Sequence, residues 1–274
     1  MWKTLLMGLI LICACQQSPA VQRHIADSIA WDESSWRDLS TVECHGKTAF
    51  LIALSGKKPV IKGPLPSLRV TYGCGFDDEG RFTVSVALAA HVAHLNQPAE
   101  IYEGLAQLEF DADLAGKGWQ KLALTTAAFS DALDVAFARM QMAQGDEKLV
   151  VNSLASLDVN RQILLAAIET AGDLKIKDAV PGLIKLLDSK DPQLVLRTIG
   201  SLGRLGDQRA LPALGSLGVS PIPVVWHTAL QAIADIGGND AIKALELVAN
   251  QSTSPNVSKV ALELMEQVRS GKTK

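Results

Sequence analysis

Two histidines three residues apart, His91 and His94 in the run ALAAHVAHLN, are the residues best spaced for chemistry. On a helix this spacing places both rings on one face, where they could share a metal ion. A histidine zinc site needs three or four ligands, and Glu100 and Glu103 are the candidates for a third. No defined spacing ties either glutamate to the pair. The expectation is therefore two ordinary histidines near a strand end or in a loop, with no metal and no cofactor. Glu43-Cys44-His45 sets a thiol beside an imidazole. Neighbours on a strand point to opposite faces, so adjacency in sequence makes no nucleophile–base dyad. The chain has no Gly-rich phosphate loop, no Gly-x-Ser-x-Gly and no spaced acidic metal motif. No catalytic residue is assigned, and the chain is not expected to be an enzyme. The 26 basic and 29 acidic residues leave a net charge of −3, which argues against nucleic acid as a partner.

The other cysteines lie near the start. Lys3 precedes the apolar run Leu5 to Ile12, roughly half the ~20 residues needed to cross a bilayer. A basic start, a short apolar stretch and small residues after it read as a secretory signal. Ile12-Cys13-Ala14-Cys15 resembles a bacterial lipobox, with Cys15 as the lipidated residue. The resemblance implies cleavage before Cys15 and a membrane anchor of several acyl chains, each buried CH2 contributing about 0.8 kcal/mol. Gln16 in place of Asp implies the outer membrane, facing the periplasm. An ordinary signal peptide cleaved nearby is the alternative. In an oxidising compartment the remaining pair, Cys44 and Cys74, reads as a disulfide. Free thiols or metal ligands remain the other possibilities.

Positioning these residues requires two kinds of element. Leu68, Val70, Tyr72, Cys74 and Phe76 alternate with polar or small residues, as do Phe82, Val84, Val86 and Leu88. Asp77-Asp78-Glu79-Gly80 between them has a turn composition, so the whole predicts a β-hairpin. Cys74 falls on its apolar face. Thr48–Leu54 is expected to be a third strand, with Gln107–Ala112 and Gln120–Thr126 as weaker candidates. Residues 131–142 fit a strand or a helix. Together these suggest a mainly-β, sandwich-like first domain. Trp31, Trp36, Trp119 and Tyr102 are its candidate sugar-stacking rings, which would make it a carbohydrate- or ligand-binding domain.

From about Asp146 the apolar period becomes helical and repeats. Leu196, Ile199, Leu202 and Leu205 precede Gly206-Asp207, and Ala210, Leu211 and Leu214 restart the pattern after it. Moving on 31 residues finds Leu230, Ile233, Ile236, Gly237, Ala241, Ile242 and Leu245. Moving back finds Leu165, Ile168, Gly172-Asp173, Ala179, Val180 and Leu183. This run resembles HEAT repeats, especially the short subtype related to phycobilisome lyases. The resemblance implies antiparallel helix pairs stacked into a solenoid that binds protein partners. The lyases' bilin chemistry is not expected here, because export and an added β domain depart from their setting.

The expected organisation is an α+β two-domain chain: residues 1–14 signal peptide, 15–30 tether, 31–145 mainly-β domain and 146–274 repeat domain. Apolar repeat positions should be core, which leaves polar positions on the first helix of each pair as the candidate binding surface. These are Arg161, Gln162, Arg197, Thr198, His227 and Thr228, with Trp226 as a candidate hot spot in the proline-rich stretch Ser220–Trp226. The expected partners are a protein of unspecified identity and the membrane, through the N-terminal lipid.

Overall fold

The computed structural model describes residues 30–271, apart from 58, 60, 62–65, 95–96, 112–117 and 157. The signal segment, Cys15 and nearly all of the tether lie outside the described residues, as does the side chain of Trp31. Contacts divide the chain into two compact units between Gln144 and Gly145.

The first unit is built on one four-stranded sheet in the order β1-β2-β3-β4. Its strands are β1 (Ala30–Asp38), β2 (Ser67–Phe76), β3 (Phe82–His94) and β4 (Gln97–Phe110). β1 runs parallel to β2, while β2–β3 and β3–β4 are antiparallel. The expected hairpin is β2–β3, closed by Phe76 opposite Phe82. Alternation decides the faces: Leu68, Val70, Tyr72, Cys74, Phe82, Val84, Val86 and Leu88 all point inward and are buried.

The layer that covers them is helical, and here the expected sandwich is corrected. Among the described residues there is no second sheet. Helices α1 (Gly46–Ser55) and α2 (Gly118–Ala143) contact each other, and α2 contacts β3 and β4. The expected strand at Thr48–Leu54 is α1, and that at Gln120–Thr126 is the start of α2. Short apolar runs do not reveal their period. In α1 the buried positions are Gly46, Ala49, Phe50, Ala53 and Leu54, a helical spacing. Residues 131–142 are helical too, with Ala132, Leu133, Ala136, Phe137 and Met140 buried. Gln107–Phe110, the third candidate, does lie in a strand, the end of β4.

An aromatic cluster fills the space between sheet and helices. Trp36 lies 5.8 Å from Phe50, 5.3 Å from Tyr72 and 5.9 Å from Phe129, ring centre to ring centre. Lys57 ties the end of α1 to α2 by donating to Ser130 at 2.7 Å and Asp134 at 2.6 Å.

The second unit contains α3 (Glu147–Ala155), α4 (Arg161–Asp173), α5 (Val180–Leu186), α6 (Pro192–Leu205), α7 (Leu211–Gly218), α8 (Pro223–Ile236), α9 (Gly238–Gln251) and α10 (Pro255–Arg269). Successive helices α3–α4, α5–α6, α7–α8 and α9–α10 contact one another. So do alternate helices, with α4 on α6, α6 on α8 and α8 on α10. This is the nearest-neighbour packing of a repeat array. Gly206 ends α6 with φ of 73°, a left-handed conformation that suits glycine. The repeat positions Ile168, Leu183, Ile199, Leu202, Leu214, Leu230, Ile233 and Leu245 are fully buried.

Candidate binding surface and cleft

Three helices of the array, α3, α4 and α6, start with a side-chain cap. Asp146 caps α3 by accepting from the Leu149 amide at 3.0 Å. Asn160 caps α4 through the Gln162 amide at 2.8 Å, and Asp191 caps α6 through the Gln193 amide at 2.9 Å. Each satisfies an amide that the first helical turn leaves without a partner.

Arg161 and Arg197 sit on the consecutive helices α4 and α6, and both are committed to neighbours within the array. Arg161 donates to Asp191 at 2.9 Å and to Gln193 at 3.0 Å. The Arg161 guanidinium holds the Asp191 carboxyl below the usual carboxylate range. Arg197 pairs with Glu169, and Arg204 with Asp173 at 2.8 Å. These pairs link α4 to α6, so the two arginines join adjacent repeats. A partner could use them only by sharing or displacing the carboxylates. Thr198, expected on the surface, is fully buried, and its hydroxyl has no hydrogen-bond partner. Its place in the helix turns it toward the core beside Ile199.

His227 is exposed near the start of α8, and Trp226 is half-buried beside it with ring centres 5.7 Å apart. Around them the surface is apolar: Val219, Ile222 and Val224 are 42%, 53% and 53% exposed. Ile222 occupies the cap position of α8 and supplies no side-chain cap.

The first unit has its own concavity, a cleft of about 260 Å³ lined by Trp36, Asp38, Val42, Glu43, Cys44, His45, Gly46, Lys47, Thr48 and Tyr72. Cys44, one of the lining residues, is disulfide-bonded to Cys74, and both are buried. The thiol of Glu43-Cys44-His45 is thereby consumed, and His45 Nδ1 lies 3.6 Å from a Glu43 carboxylate oxygen. Burial pushes the Tyr72 hydroxyl up in pKa, and its hydrogen bond to Asp38 pushes the same way. Burial also pushes Asp38 up. Hydrogen bonds from Ser40 and Tyr72 outweigh it and hold the carboxyl below its ordinary range. Side-chain hydrogen bonding therefore already engages both groups. The sequence did not single out this cleft, because Asp38, Gly46 and Tyr72 come from three separate elements.

His91 and His94 lie on β3, not on a helix, so the shared helical face does not exist. Glu100 pairs with the Tyr102 hydroxyl, and the Glu103 carbonyl accepts from Arg139 at 2.8 Å. Among the described residues no group of three or more His, Cys, Asp or Glu side chains converges. The aromatic rings considered for sugar stacking are dispersed by role. Trp36 belongs to the core cluster, Tyr102 is half-buried, and Trp119 is 61% exposed at the start of α2.

The HEAT repeats family matches residues 148–234 and 180–266. The C-terminal half of the chain therefore carries HEAT-type helical repeats. No curated protein matches the chain. Among solved structures, an engineered protein determined by the Northeast Structural Genomics Consortium is similar at 23% identity. The match covers 56% of this chain and 74% of that one, with a TM-score of 0.35.

Proposed function

We propose that this chain is a non-catalytic, lipid-anchored protein of the cell envelope whose HEAT array docks a protein partner. The observation that carries the docking role is the run of HEAT repeats over residues 148–266. Such arrays expose one long surface per helix layer while burying their repeat positions, and protein partners are the common ligands of that surface. Residues Arg161, Arg197, Trp226 and His227 are the proposed contact positions. The lipobox-like Ile12-Cys13-Ala14-Cys15 supports the anchor, and Gln16 supports the outer membrane as its destination. A disulfide between Cys44 and Cys74 suits an oxidising compartment.

Two experiments test the two halves of this reading. Cys15→Ala should move the chain from the membrane to the soluble fraction; retention at the membrane removes the anchor. Crosslinking in intact cells should join a defined protein to residues of the HEAT half. Crosslinks confined to the first unit would transfer the binding role to that unit, as a carbohydrate- or ligand-binding domain with the cleft beside Tyr72 as its site.

A further inference from the structure

The sheet of the first unit packs its inward side chains with α1 and α2 in one core. Its other side is read from the pleat. Leu88, Ala90 and Val92 of β3 are buried inward, so Ala87, Ala89 and His91 face outward. Opposite them on β4 stand Leu105, Glu103 and Ile101. Ile101 and Leu105 are 52% and 50% exposed, two large apolar side chains beside a floor of alanine. On the same side His91 keeps its Nε2 buried with no hydrogen-bond partner among the described residues. Buried polar atoms are as a rule paired, so this nitrogen calls for a group lying over it.

The register shows which part of the chain arrives there. Ala30 at the start of β1 is opposite Ser67, Ser67 is opposite His91, and His91 is opposite Ile101. The four form one row across the sheet, so the residues preceding Ala30 reach the sheet at the row that holds His91 and Ile101. The next outward row is Arg69, Ala89 and Glu103. Arg69 and Glu103 are exposed, and their side chains make no ion pair among the described residues. They stand two strand spacings apart, roughly 10 Å.

Residues 21–29 lie outside the described residues, but their sequence matches this surface. Val21, Ile25 and Ile29 are apolar, and Arg23 and Asp27 are their only residues of fixed charge. The charges fall in complementary order. Asp27 is the nearer to β1, and Arg69 is on β2 beside it. Arg23 is the farther, and Glu103 is on β4 at the opposite edge. Four residues span about 6 Å as helix and about 13 Å when extended, which brackets the distance between Arg69 and Glu103. Complementary charges fix register more than they add affinity, so the apolar contacts carry the binding.

We propose that the outward side of the sheet is the seat of the chain's own residues 21–29, with Asp27 on Arg69, Arg23 on Glu103 and Ile25 over Ala89 between them. The seated segment covers Ile101 and brings polar backbone over His91. One consequence rests on the proposed lipidation of Cys15. Fifteen residues of extended chain reach about 50 Å. Seating 21–29 leaves only Gln16–Ala20 between lipid and sheet, a reach of less than about 20 Å. The first unit is then held close to the bilayer.

Hydrogen exchange on the full chain in mild detergent, read by mass spectrometry, tests the seat. Amides of residues 21–29 should exchange about tenfold or more slowly than in an unfolded chain. Ile25→Asp should return them to the unfolded rate. Arg69→Asp should speed them about threefold. Adding Asp27→Arg to Arg69→Asp should restore the slow rate, a rescue that misfolding cannot imitate. Cys15→Ala should leave the protection intact, so loss of the anchor and loss of the seat are separate results. Wild-type amides that exchange at the unfolded rate overturn the proposal. So do protection that outlasts Ile25→Asp and a charge swap that fails to restore it. Benzoylphenylalanine placed at position 101 and photoactivated in intact cells should crosslink to residues 21–29 of the same chain. Capture there of a second copy, another protein or lipid equally overturns the proposal.

Discussion

At the scale of single residues, two groups carry definite expectations. The Cys44–Cys74 bond closes a loop with a sequence separation of 30. In the chain-entropy model such a loop contributes about 3 to 4 kcal/mol. Replacing both cysteines by serine should lower unfolding stability by that order in chemical denaturation, and non-reducing peptide mapping should find the two joined in the wild type. Asp207 is the second. Its carboxylate accepts from the Arg209 side chain and amide, both at 2.9 Å, and the Arg209 pairing brings its pKa down to about 2. A depressed folded-state pKa means that the folded state prefers the charged form. The stability it adds is complete above the ordinary aspartate value near 4 and is lost as pH falls toward about 2. Asp207→Asn should flatten the stability profile in that acid window and leave its slope at neutral pH unchanged. The pairing of cysteines was legible only through the expected export and lipidation at Cys15, which leave Cys44 and Cys74 as an even pair. The Asp207–Arg209 fork was hidden, because the sequence there advertises only a turn.

At the scale of elements, the strands announced themselves where one face is wet. β2 and β3 alternate because their outer face meets solvent, so period two survives in the sequence. α1 and the first turns of α2 are apolar enough that periodicity could not separate helix from strand. What settles them is the sheet they cover. Gly104 of β4 shows the closeness of that contact: a Cβ there would run into the backbone carbonyl of Ala132 on α2. Gly104→Ala should force sheet and helix apart and cost about 1 to 3 kcal/mol, measurable as a lowered denaturation midpoint with an unchanged slope. Nothing in the sequence distinguishes Gly104 from the chain's many loop glycines, since its role depends on a residue nearly thirty positions away.

At the scale of the whole molecule, the array is the part whose stability can be reasoned from its repeat. Ile199 is fully buried on α6, which touches both α4 and α8. Ile199→Ala should cost about 2 to 5 kcal/mol in denaturant unfolding. Because repeats are held by nearest neighbours, hydrogen exchange should quicken most in α4, α6 and α8. Exchange that quickened only in α6 would mean that the repeats are not coupled.

The amino-acid sequence alone determined the HEAT-type half, because each repeat restates the same apolar spacing and turn, so the pattern is local and read several times. It also determined the β2–β3 hairpin and marked the two cysteines that pair, since alternation and parity need no knowledge of distant contacts. Only the tertiary structure decided that helices rather than a second sheet cover the strands, that Trp36 is spent on the core, and that Arg161 and Arg197 answer to carboxylates of the adjoining helix. It alone exposed Ile222 at an uncapped helix start. Each of these depends on which residues far apart in the chain come to share one space, and burial is a property of that shared space.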